Sequence, residues 1–344
     1  MTKSVAKIRR KNKQLKKYLY LCKTKLRNLQ TIDVVKKIYT TLIIGMMTMV
    51  ILLASGCEKE PPTEAPSIAG MLSGLFSIND EGGQVHFSRG NLQYRASTDT
   101  WRFAEHQWDY VGNATNGNVS VGSEKCNNAN ISNTYGGWID LFGWGTSGWS
   151  SGAVNYQPWA TSTSNPEYYP GRSYNNGLTG DYIEADWAWH NAISNGGSKT
   201  HQWRVLTSNE WRYMLNTRTT ASKIRYAKAT VNDVTGVILL PDDWSKSYYT
   251  LNSTNTVNAA FATNTIDATT WANKLEAHGA VFLPSTGYRR GTYVVYVGYG
   301  GYWSSSPNGK YNAYLLDFDG YGLYATNRSY RSNGFSVRPV RDIK

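Results

Sequence analysis

Cysteine is scarce in this chain, and its few positions exclude a disulfide-stabilised scaffold. Of the 3 cysteines among 344 residues, Cys22 lies in a basic N-terminal arm, Cys57 directly follows an apolar run, and Cys126 stands alone in the body of the chain. If the arm is removed and Cys57 serves as an attachment site, no pair remains to form an intramolecular disulfide.

Histidine is nearly as rare, and the sequence signals no catalysis. The 5 histidines share no ligand spacing such as H-x-x-x-H, and none has a cysteine or serine nearby in a recognisable nucleophile context.

Asp181, Glu184 and Asp186 form a carboxylate cluster that would suit calcium, but a helix capping box accounts for two of them. Asp317 and Asp319 would share one face of a strand, as a metal site or as acceptors for sugar hydroxyls. We predict no metal, no cofactor and no enzyme activity.

A glycine-rich motif at residues 143–148 (GWGTSG) matches the pattern G-x-G-x-x-G. A dinucleotide site needs a helix N-terminus after such a motif to receive the pyrophosphate, and no helical pattern follows Gly148. The motif therefore predicts a loop of glycine and tryptophan.

The excess of basic over acidic residues is confined to the first 56 residues. The formal net charge is +12, but residues 1–56 carry 13 Lys and Arg against the single acid Asp33, and residues 57–344 carry 23 basic and 23 acidic residues. Nucleic-acid binding depends largely on phosphate neutralisation by a basic stripe. The balanced body argues against a nucleic-acid partner.

The N-terminal segment predicts export and a lipid anchor. After the basic arm, an uncharged stretch of 19 residues runs from Ile38 to Gly56, which is typical of a signal sequence. The small residues at 54–56 directly before Cys57 resemble the lipobox of bacterial lipoproteins, which implies that Cys57 is acylated and that residues 1–56 are a signal segment. The alternative is a membrane-anchoring helix, since 19 uncharged residues could just span a bilayer.

Residues 57–67 predict a solvated tether. Three acids and three prolines occur in residues 58–66, a composition that favours a stiff, extended chain. Acidic residues directly after a lipidated cysteine resemble the surface-export signal of some Gram-negative gut anaerobes. The resemblance implies a lipid-anchored protein of the bacterial outer membrane, displayed at the cell surface.

Residues 68–344 predict one α+β domain with short antiparallel strands, two or three helices and long ordered loops. Strand patterns bounded by turn residues occur at 75–78 and 85–87, which read as a hairpin, and at 236–240, 280–283, 301–305, 313–318 and 335–340. Helix start signals occur at Asp181 to Glu184, with a helix to Ser194; at Thr207 to Glu210; and at Asp267, with a helix to His278 that ends at Gly279 and buries Trp271 and Leu275. Residues 112–133 and 146–176 predict loops held by buried aromatics.

The most informative segment is 287–335, which we define as the C-terminal face. Its 49 residues include 10 Tyr, 9 Gly, 5 Ser and 4 Asn. Tyrosine offers a large amphipathic contact area at low entropic cost, and Ser, Gly and Asn offer adaptable hydrogen bonding, so this composition favours a binding surface. The alternative is a tyrosine-rich sheet, because tyrosine also favours strands.

Several motifs resemble known domains. Residues 202–211 (QWRVLTSNEW) resemble the W-R-L-P-T-x-x-E-W element of formylglycine-generating-enzyme-like and FISUMP-type domains. Residues 282–289 (FLPSTGYR), 301–306 (GYWSSS), 312–314 (NAY) and 334–341 (GFSVRPVR) resemble the C-terminal part of FISUMP-type domains, and 142–148 and 192–197 resemble the upstream half of lipoproteins that carry them. The resemblance implies a C-type-lectin-like fold for residues 68–344.

The chain departs from these families in ways that limit what the fold implies. An active formylglycine-generating enzyme uses a pair of cysteines, whereas the body of this chain has Cys126 alone. The E-P-N and W-N-D motifs of calcium-dependent animal lectins are also missing. Neither activity nor sugar binding is implied by the fold.

A further resemblance is to the variable proteins of diversity-generating retroelements. In these proteins a C-terminal lectin-like face is rewritten at asparagine-type codons, and substitution of the adenines yields Tyr, Ser, Gly, Asp, Thr and Arg among others. The composition of the C-terminal face suits that set. An adenine-altered copy of its codons beside a reverse-transcriptase gene would distinguish a diversified binder from an undiversified one.

We predict a non-catalytic ligand-binding or adhesion lipoprotein whose partner is a protein or a glycan. The predicted contact residues are Tyr299, Tyr302, Asn308, Lys310, Tyr311, Asn312, Tyr314, Asp317, Asp319, Tyr321, Tyr324, Asn327, Ser329, Tyr330 and Arg331, above a core of Trp303, Phe318, Phe335 and Val337. One alternative is a metal- or oxygen-dependent enzyme related to formylglycine-generating enzymes, which stoichiometric copper or iron would favour. Another is a structural envelope protein, in which tyrosine substitutions would change no ligand measurement.

Overall fold

The computed structural model describes residues 69–113, 127–129, 131–295 and 298–343. These residues belong to one unit, Pro66–Lys344. The predicted signal segment, Cys57, the tether, Cys126 and part of the predicted loop at 112–133 lie outside the described residues. Across the described ranges, no helix combines the length and the apolar character needed to cross a bilayer.

The described residues form a mixed α+β structure in which short strands predominate. The strands are β1 Phe76–Ser77, β2 Gln84–Phe87, β3 Leu92–Arg95, β4 Thr100–Phe103, β5 Tyr226–Val231, β6 Val234–Leu239, β7 Thr265–Ile266, β8 Val281–Pro284, β9 Tyr288–Arg290, β10 Tyr293–Val295, β11 Gly300–Asn308, β12 Asn312–Phe318, β13 Leu323–Tyr330, β14 Asn333–Gly334 and β15 Val340–Asp342. They pair in the orders β1-β2-β15, β3-β4, β7-β5-β6-β8, β10-β9-β14 and β11-β12-β13. All pairs are antiparallel except β5 with β7.

The helices are short and change pitch along their length. The α-helices are α1 Trp187–His190, α2 Ser208–Arg212 and α3 Ala268–Thr270. A π turn at Tyr213–Thr217 extends α2, and a π turn at Trp271–Leu275 followed by a 3-10 turn at Glu276–His278 extends α3. Further 3-10 turns are Ala96–Thr98, Asn165–Tyr168, Pro170–Arg172, Gly180–Ala185 and Phe261–Thr263.

Two of the three predicted helix starts are confirmed. The Thr207 hydroxyl accepts from the Glu210 N–H at 3.2 Å, and the Glu210 carboxylate accepts from the Thr207 N–H at 2.6 Å, which completes the capping box. Asp267 caps α3 by accepting from the Thr270 N–H at 2.9 Å. The helical segment ends at Gly279, whose φ of 78° lies in the left-handed region.

The predicted helix from Asp181 to Ser194 is wrong. A 3-10 turn occupies Gly180–Ala185 without a side-chain cap, and α1 spans four residues with Asp186 as its N-cap. The Glu184 carboxylate does not turn back to a backbone N–H, because it binds the rings of His190 at 2.8 Å and His201 at 2.9 Å. The contacts of Glu184 with His190 and His201 thus replace the expected capping box.

The predicted strands are largely confirmed, with one exception. The hairpin of β1 and β2 and the strands β6, β8, β11 and β12 lie where alternation predicts them. Residues 335–339 make no continuous strand, although Phe335 bridges Phe142 and Ser336 bridges Tyr302. This segment therefore joins the C-terminal face to upstream loops.

Alternation along the central strands divides the interior into three apolar clusters. On β6, Val237 and Leu239 face the side of α2, while Ile238 faces the opposite side, where Trp271 and the segment after α3 pack. On β12, Leu316 faces the α2 side and Leu315 faces a third cluster, rich in tryptophan. The three-stranded sheet β11-β12-β13 is thereby covered on both faces over part of its length.

Asp140 in the tryptophan-rich region generates a pH prediction. It is fully buried, and its carboxylate accepts from the Val111 N–H at 2.7 Å and the Asn128 amide at 2.8 Å. Burial raises its pKa from the ordinary 3.8 to about 6, against the opposing effect of these hydrogen bonds. Because the folded state then binds the proton more tightly than the unfolded state, the contribution of Asp140 to stability is complete below pH 3.8 and is lost as pH rises through about 6.

We therefore expect Asp140→Asn to remove a pH dependence as well as to alter stability. Between pH 4 and pH 7, the free energy of unfolding of the wild type should fall by roughly 2.5 kcal/mol relative to that of the variant. Urea unfolding followed by tryptophan fluorescence at several pH values measures the difference. Parallel pH profiles for the two proteins would contradict the prediction.

Candidate binding face

The C-terminal face is built on the antiparallel strands β11, β12 and β13, with β13 at the edge. Helix α2 contacts all three strands on one side. On the other side, Trp303 and Leu315 are fully buried together with Phe335, as the sequence predicted for Trp303 and Phe335. The predicted core residues Phe318 and Val337 are buried as well. Since both faces of the sheet are supported, its exposed side chains project from a well-packed base.

Exposed tyrosines concentrate on this face. Among the described residues, the tyrosines of the C-terminal face with large exposure are Tyr293 (75%), Tyr311 (45%), Tyr321 (89%), Tyr324 (58%) and Tyr330 (51%). A tyrosine used for packing would instead bury its ring, as Tyr302 does. The face therefore presents several aromatic side chains to solvent, and clustered exposed aromatic groups are typical of interaction surfaces.

A pocket of about 630 Å³ opens on the C-terminal face beside Tyr321, and we call it the aromatic pocket. It is lined by Tyr288, Gly298, Tyr299, Asp319, Gly320, Tyr321, Ser329, Asn333 and Phe335. Its volume lies in the range of small-molecule sites, and it combines apolar rings with a few polar groups, as such sites do. Residues 296 and 297, next to Gly298, lie outside the described residues.

Aromatic rings form the base of the aromatic pocket. The ring of Tyr288 stacks on that of Phe335, with centroids 5.4 Å apart and planes at 22°. The ring of Tyr299 meets that of Tyr288 edge to face at 5.9 Å and 70°. Phe335 in turn packs edge to face on Trp303 at 4.8 Å, which ties the pocket to the core.

A buried carboxylate holds Tyr299 in place. Asp317 accepts from the Tyr299 hydroxyl at 2.7 Å and from the Asn327 amide at 2.7 Å, both through Oδ2. Burial raises the pKa of Asp317, while its hydrogen bonds to Tyr299 and Asn327 act in the opposite direction. Burial and the neighbouring charge of Asp317 likewise raise the pKa of Tyr299, so the phenol keeps its proton and remains the donor.

The turn after β12 is shaped by Asp319. Its Oδ1 accepts from the N–H groups of Tyr321 at 2.7 Å and Gly322 at 2.8 Å, which is an Asx turn. The buried Lys228 ammonium donates to the Asp319 carbonyl oxygen at 2.7 Å from beneath. These contacts place Tyr321 at the outer wall of the aromatic pocket.

Most of the predicted contact residues are exposed or half-buried. Alternation along the strands divides them between the two sides of the sheet, since Ser329 pairs with Ala313 and Tyr330 with Asn312. Four of them line the aromatic pocket: Tyr299, Asp319, Tyr321 and Ser329. Eight others lie exposed or half-buried on the same sheet or its turns: Asn308, Lys310, Tyr311, Asn312, Tyr314, Tyr324, Asn327 and Tyr330.

Three predicted contact residues are buried, and their assignment was wrong. Tyr302 is fully buried; its hydroxyl donates to the Pro284 carbonyl at 2.8 Å and accepts from the Asn91 amide at 3.3 Å. Asp317 lies beneath the surface and acts through Tyr299 and Asn327, as described above. Arg331 is fully buried between the sheet and upstream loops. Composition cannot distinguish these positions from their exposed neighbours, because strand register and bulges decide which way each side chain points.

Arg331 joins the C-terminal face to the loops of residues 142–176. Its guanidinium lies over the rings of Trp144 at 4.4 Å and Tyr169 at 5.0 Å. It donates to the carbonyl oxygens of Asn312 at 3.0 Å, Tyr174 at 2.6 Å and Gly309 at 3.3 Å. Burial lowers its pKa to about 10, which leaves it charged at neutral pH.

Sequence reasoning missed several residues of the aromatic pocket. Tyr288 and Asn333 lie within the composition-defined segment but were not selected, and Phe335 was assigned to the core although its ring also forms the pocket floor. The pairing of β9 with β14 brings Tyr288 near Asn333 and Phe335. No local signal predicts this pairing, because the two strands are three and two residues long.

The other candidate motifs have structural roles. Asp181, Glu184 and Asp186 do not converge: the Asp186 carboxylate accepts from the N–H groups of Ala188 and Val205, and Asp181 is exposed. Residues 143–148 form a loop with no helix after it, as predicted. Within the described ranges, no group of three or more His, Cys, Asp or Glu side chains is arranged to hold a metal ion.

A family model described as a domain of unknown function (DUF8237) matches residues 207–340. No curated protein and no solved structure matches the chain. The matched stretch begins at the N-cap of α2 and ends at the first residue of β15, so it contains the whole C-terminal face and omits the loops that Arg331 contacts. The resemblances to FISUMP-type and formylglycine-generating-enzyme-like domains stay predictions.

The position of Arg331 leads to a stability prediction. Arg331→Lys should lower the free energy of unfolding by about 2 to 4 kcal/mol, because an ammonium cannot make the same in-plane hydrogen bonds while stacking on two rings. Lys310→Ala, which removes an exposed cation in the turn between β11 and β12, is the control and should change stability by less than about 0.5 kcal/mol. Urea unfolding measures both, and equal effects of the two substitutions would contradict the structural role of Arg331.

Proposed function

We propose that this chain is a lipid-anchored bacterial surface protein that binds a ligand through its C-terminal face, without catalysis. The observation that carries the proposal is the aromatic pocket together with the exposed tyrosines elsewhere on the C-terminal face, above a well-packed sheet. Tyrosine loses little conformational entropy on binding, and a rigid base lowers the cost of ordering the surface further. Adhesion to a host, phage or bacterial partner, protein or glycan, fits a surface of this kind.

The proposed domain type is a C-type-lectin-like fold of the FISUMP group. Support comes from the motif resemblances and from the α+β arrangement, in which long loops such as residues 146–164 are ordered around buried tryptophans. We further propose that the face is diversified by a retroelement. Its exposed positions carry Tyr, Asn, Ser and Asp, which are asparagine itself or residues that adenine substitution of asparagine-type codons yields.

The location at the outer membrane rests on the sequence. The basic arm, the uncharged run and the small residues before Cys57 support lipidation, and the acidic tether supports display outward from the cell. A single acyl chain anchors weakly, so stable attachment would need more than one chain on this cysteine.

A triple substitution tests the proposed binding face. In Tyr321→Ala/Tyr324→Ala/Tyr330→Ala, retention of the full-length chain on immobilised mucin, which presents protein and glycan together, should fall at least about tenfold, as loss of interfacial aromatics does. Surface plasmon resonance measures retention. Because all three side chains are exposed, thermal unfolding should change little.

Tyr248→Ala is the matched control, since Tyr248 is an exposed tyrosine outside the C-terminal face. It should leave retention unchanged. Equal retention of the triple variant and the wild type, or no retention of the wild type on mucin and on a printed glycan array, would count against adhesion and favour a structural envelope role.

A separate substitution tests the anchor. Cys57→Ser should abolish incorporation of labelled palmitate and release the chain from the membrane fraction, because serine offers no thiol for acylation. Cys22→Ser is the control and should retain the label. Label that persists in Cys57→Ser would refute acylation at Cys57. Wild-type chain that stays in the membrane fraction without label would favour a membrane-anchoring helix.

A further inference from the structure

We infer that the aromatic pocket binds a small organic cation, an alkylated or methylated ammonium group. The inference rests on the proposed function and adds the chemical class of ligand to it. The pocket combines aromatic rings with carboxylates, and that combination recognises ammonium groups in proteins.

The charges around the pocket favour a cation. Asp319 is the only charged residue among the described lining residues, and Asp317 lies behind Tyr299. Two buried cations lie next to the lining residues, and both donate to backbone carbonyl oxygens: Lys228 to that of Asp319, and Arg289 to those of Gly291 and Ala160. The charged group that the described lining itself presents is the Asp319 carboxylate. The exposed Arg290 pairs across the strands with Asn333 at the rim, where solvent screens it.

The aromatic rings of the pocket are the second feature that favours a cation, because ring faces attract positive charge. Tyr299 and Phe335 meet at 52° and Tyr288 and Tyr299 at 70°, so the ring faces turn in different directions around the pocket. The Tyr299 hydroxyl donates to a carboxylate, which increases the electron density of its ring and its attraction for a cation. Tyr321, which is 89% exposed, lies at the outer wall and is free to cover a bound group.

Asp319 lends itself to a charge test that preserves the fold. Within the described part of the chain, the hydrogen bonds to its side chain all go to Oδ1, from Tyr321 and Gly322. An asparagine keeps an Oδ1 acceptor for both N–H groups and removes the negative charge. Asp319→Asn therefore changes the electrostatics of the pocket while keeping the Asx turn.

The experiment is calorimetric titration of the full-length chain with choline and with its uncharged isostere 3,3-dimethyl-1-butanol. Choline should bind, and the isostere should bind at least about tenfold more weakly, since both have the same shape and only one carries the charge. Asp319→Asn and Tyr321→Ala should each weaken choline binding at least about fivefold. Tyr248→Ala, an exposed tyrosine outside both the C-terminal face and the pocket lining, should leave it unchanged.

The outcomes separate this inference from the proposed function. Equal affinity for choline and the isostere, binding of neutral methyl glycosides with no binding of choline, or unchanged choline affinity in both Asp319→Asn and Tyr321→Ala would overturn the cation class. The mucin experiment would still judge the binding face independently. Cosedimentation with phosphatidylcholine vesicles in addition to choline binding would identify a lipid head group as the source, and choline binding alone would identify a soluble amine; both support the inference.

Discussion

The burial of the Arg331 guanidinium between Trp144 and Tyr169 is the interaction on which the C-terminal face depends. Removing a charge from water costs several kcal/mol, and here no carboxylate among the described residues compensates it. The ring faces of Trp144 and Tyr169 and three backbone carbonyl oxygens stabilise the buried charge instead. Because these groups come from the sheet and from loops more than a hundred residues upstream, the Nε and Nη2 donors find these acceptors only when the two regions lie together. The face is therefore formed as part of the domain rather than as an independent hairpin.

That coupling explains how a surface so rich in tyrosine remains ordered. Beneath the exposed rings, Trp303 and Leu315 fill one side of the sheet, and α2 fills the other. The hydrogen bond from the Trp144 ring nitrogen to the Ser304 carbonyl at 2.9 Å adds a second tie between loop and sheet. A side chain that starts from a fixed backbone has less freedom to lose when a ligand arrives, so each exposed ring contributes more of its contact area to affinity.

Much of the scaffold could be predicted from the sequence, because it depends on local chemistry. The capping box at Thr207, the helical segment from Asp267 to Gly279 and the alternation of β12 each follow from residues within about one helical turn or a few strand positions. The general location of the candidate site could also be predicted, from composition. Which side chains of the candidate site face the pocket and which face the core could not be predicted. Whether Tyr299 faces the pocket and Tyr302 the core depends on pairing across strands, and the irregularity between Trp303 and Pro307 shifts that pairing further along β11.

The C-terminal face contains two kinds of position, which differ in the burial of their side chains. Tyr302 and Arg331 are fully buried and each satisfies several partners, so replacing either would leave buried polar groups unpaired at a cost of several kcal/mol. Tyr321 and Tyr324 contact mainly solvent, and substitutions there change stability by only a few tenths of a kcal/mol. Under the proposed binding role, ligand preference would change at the outer positions, while the inner ones hold the sheet in place. A surface whose specificity and stability depend on different residues can vary in sequence without losing its fold.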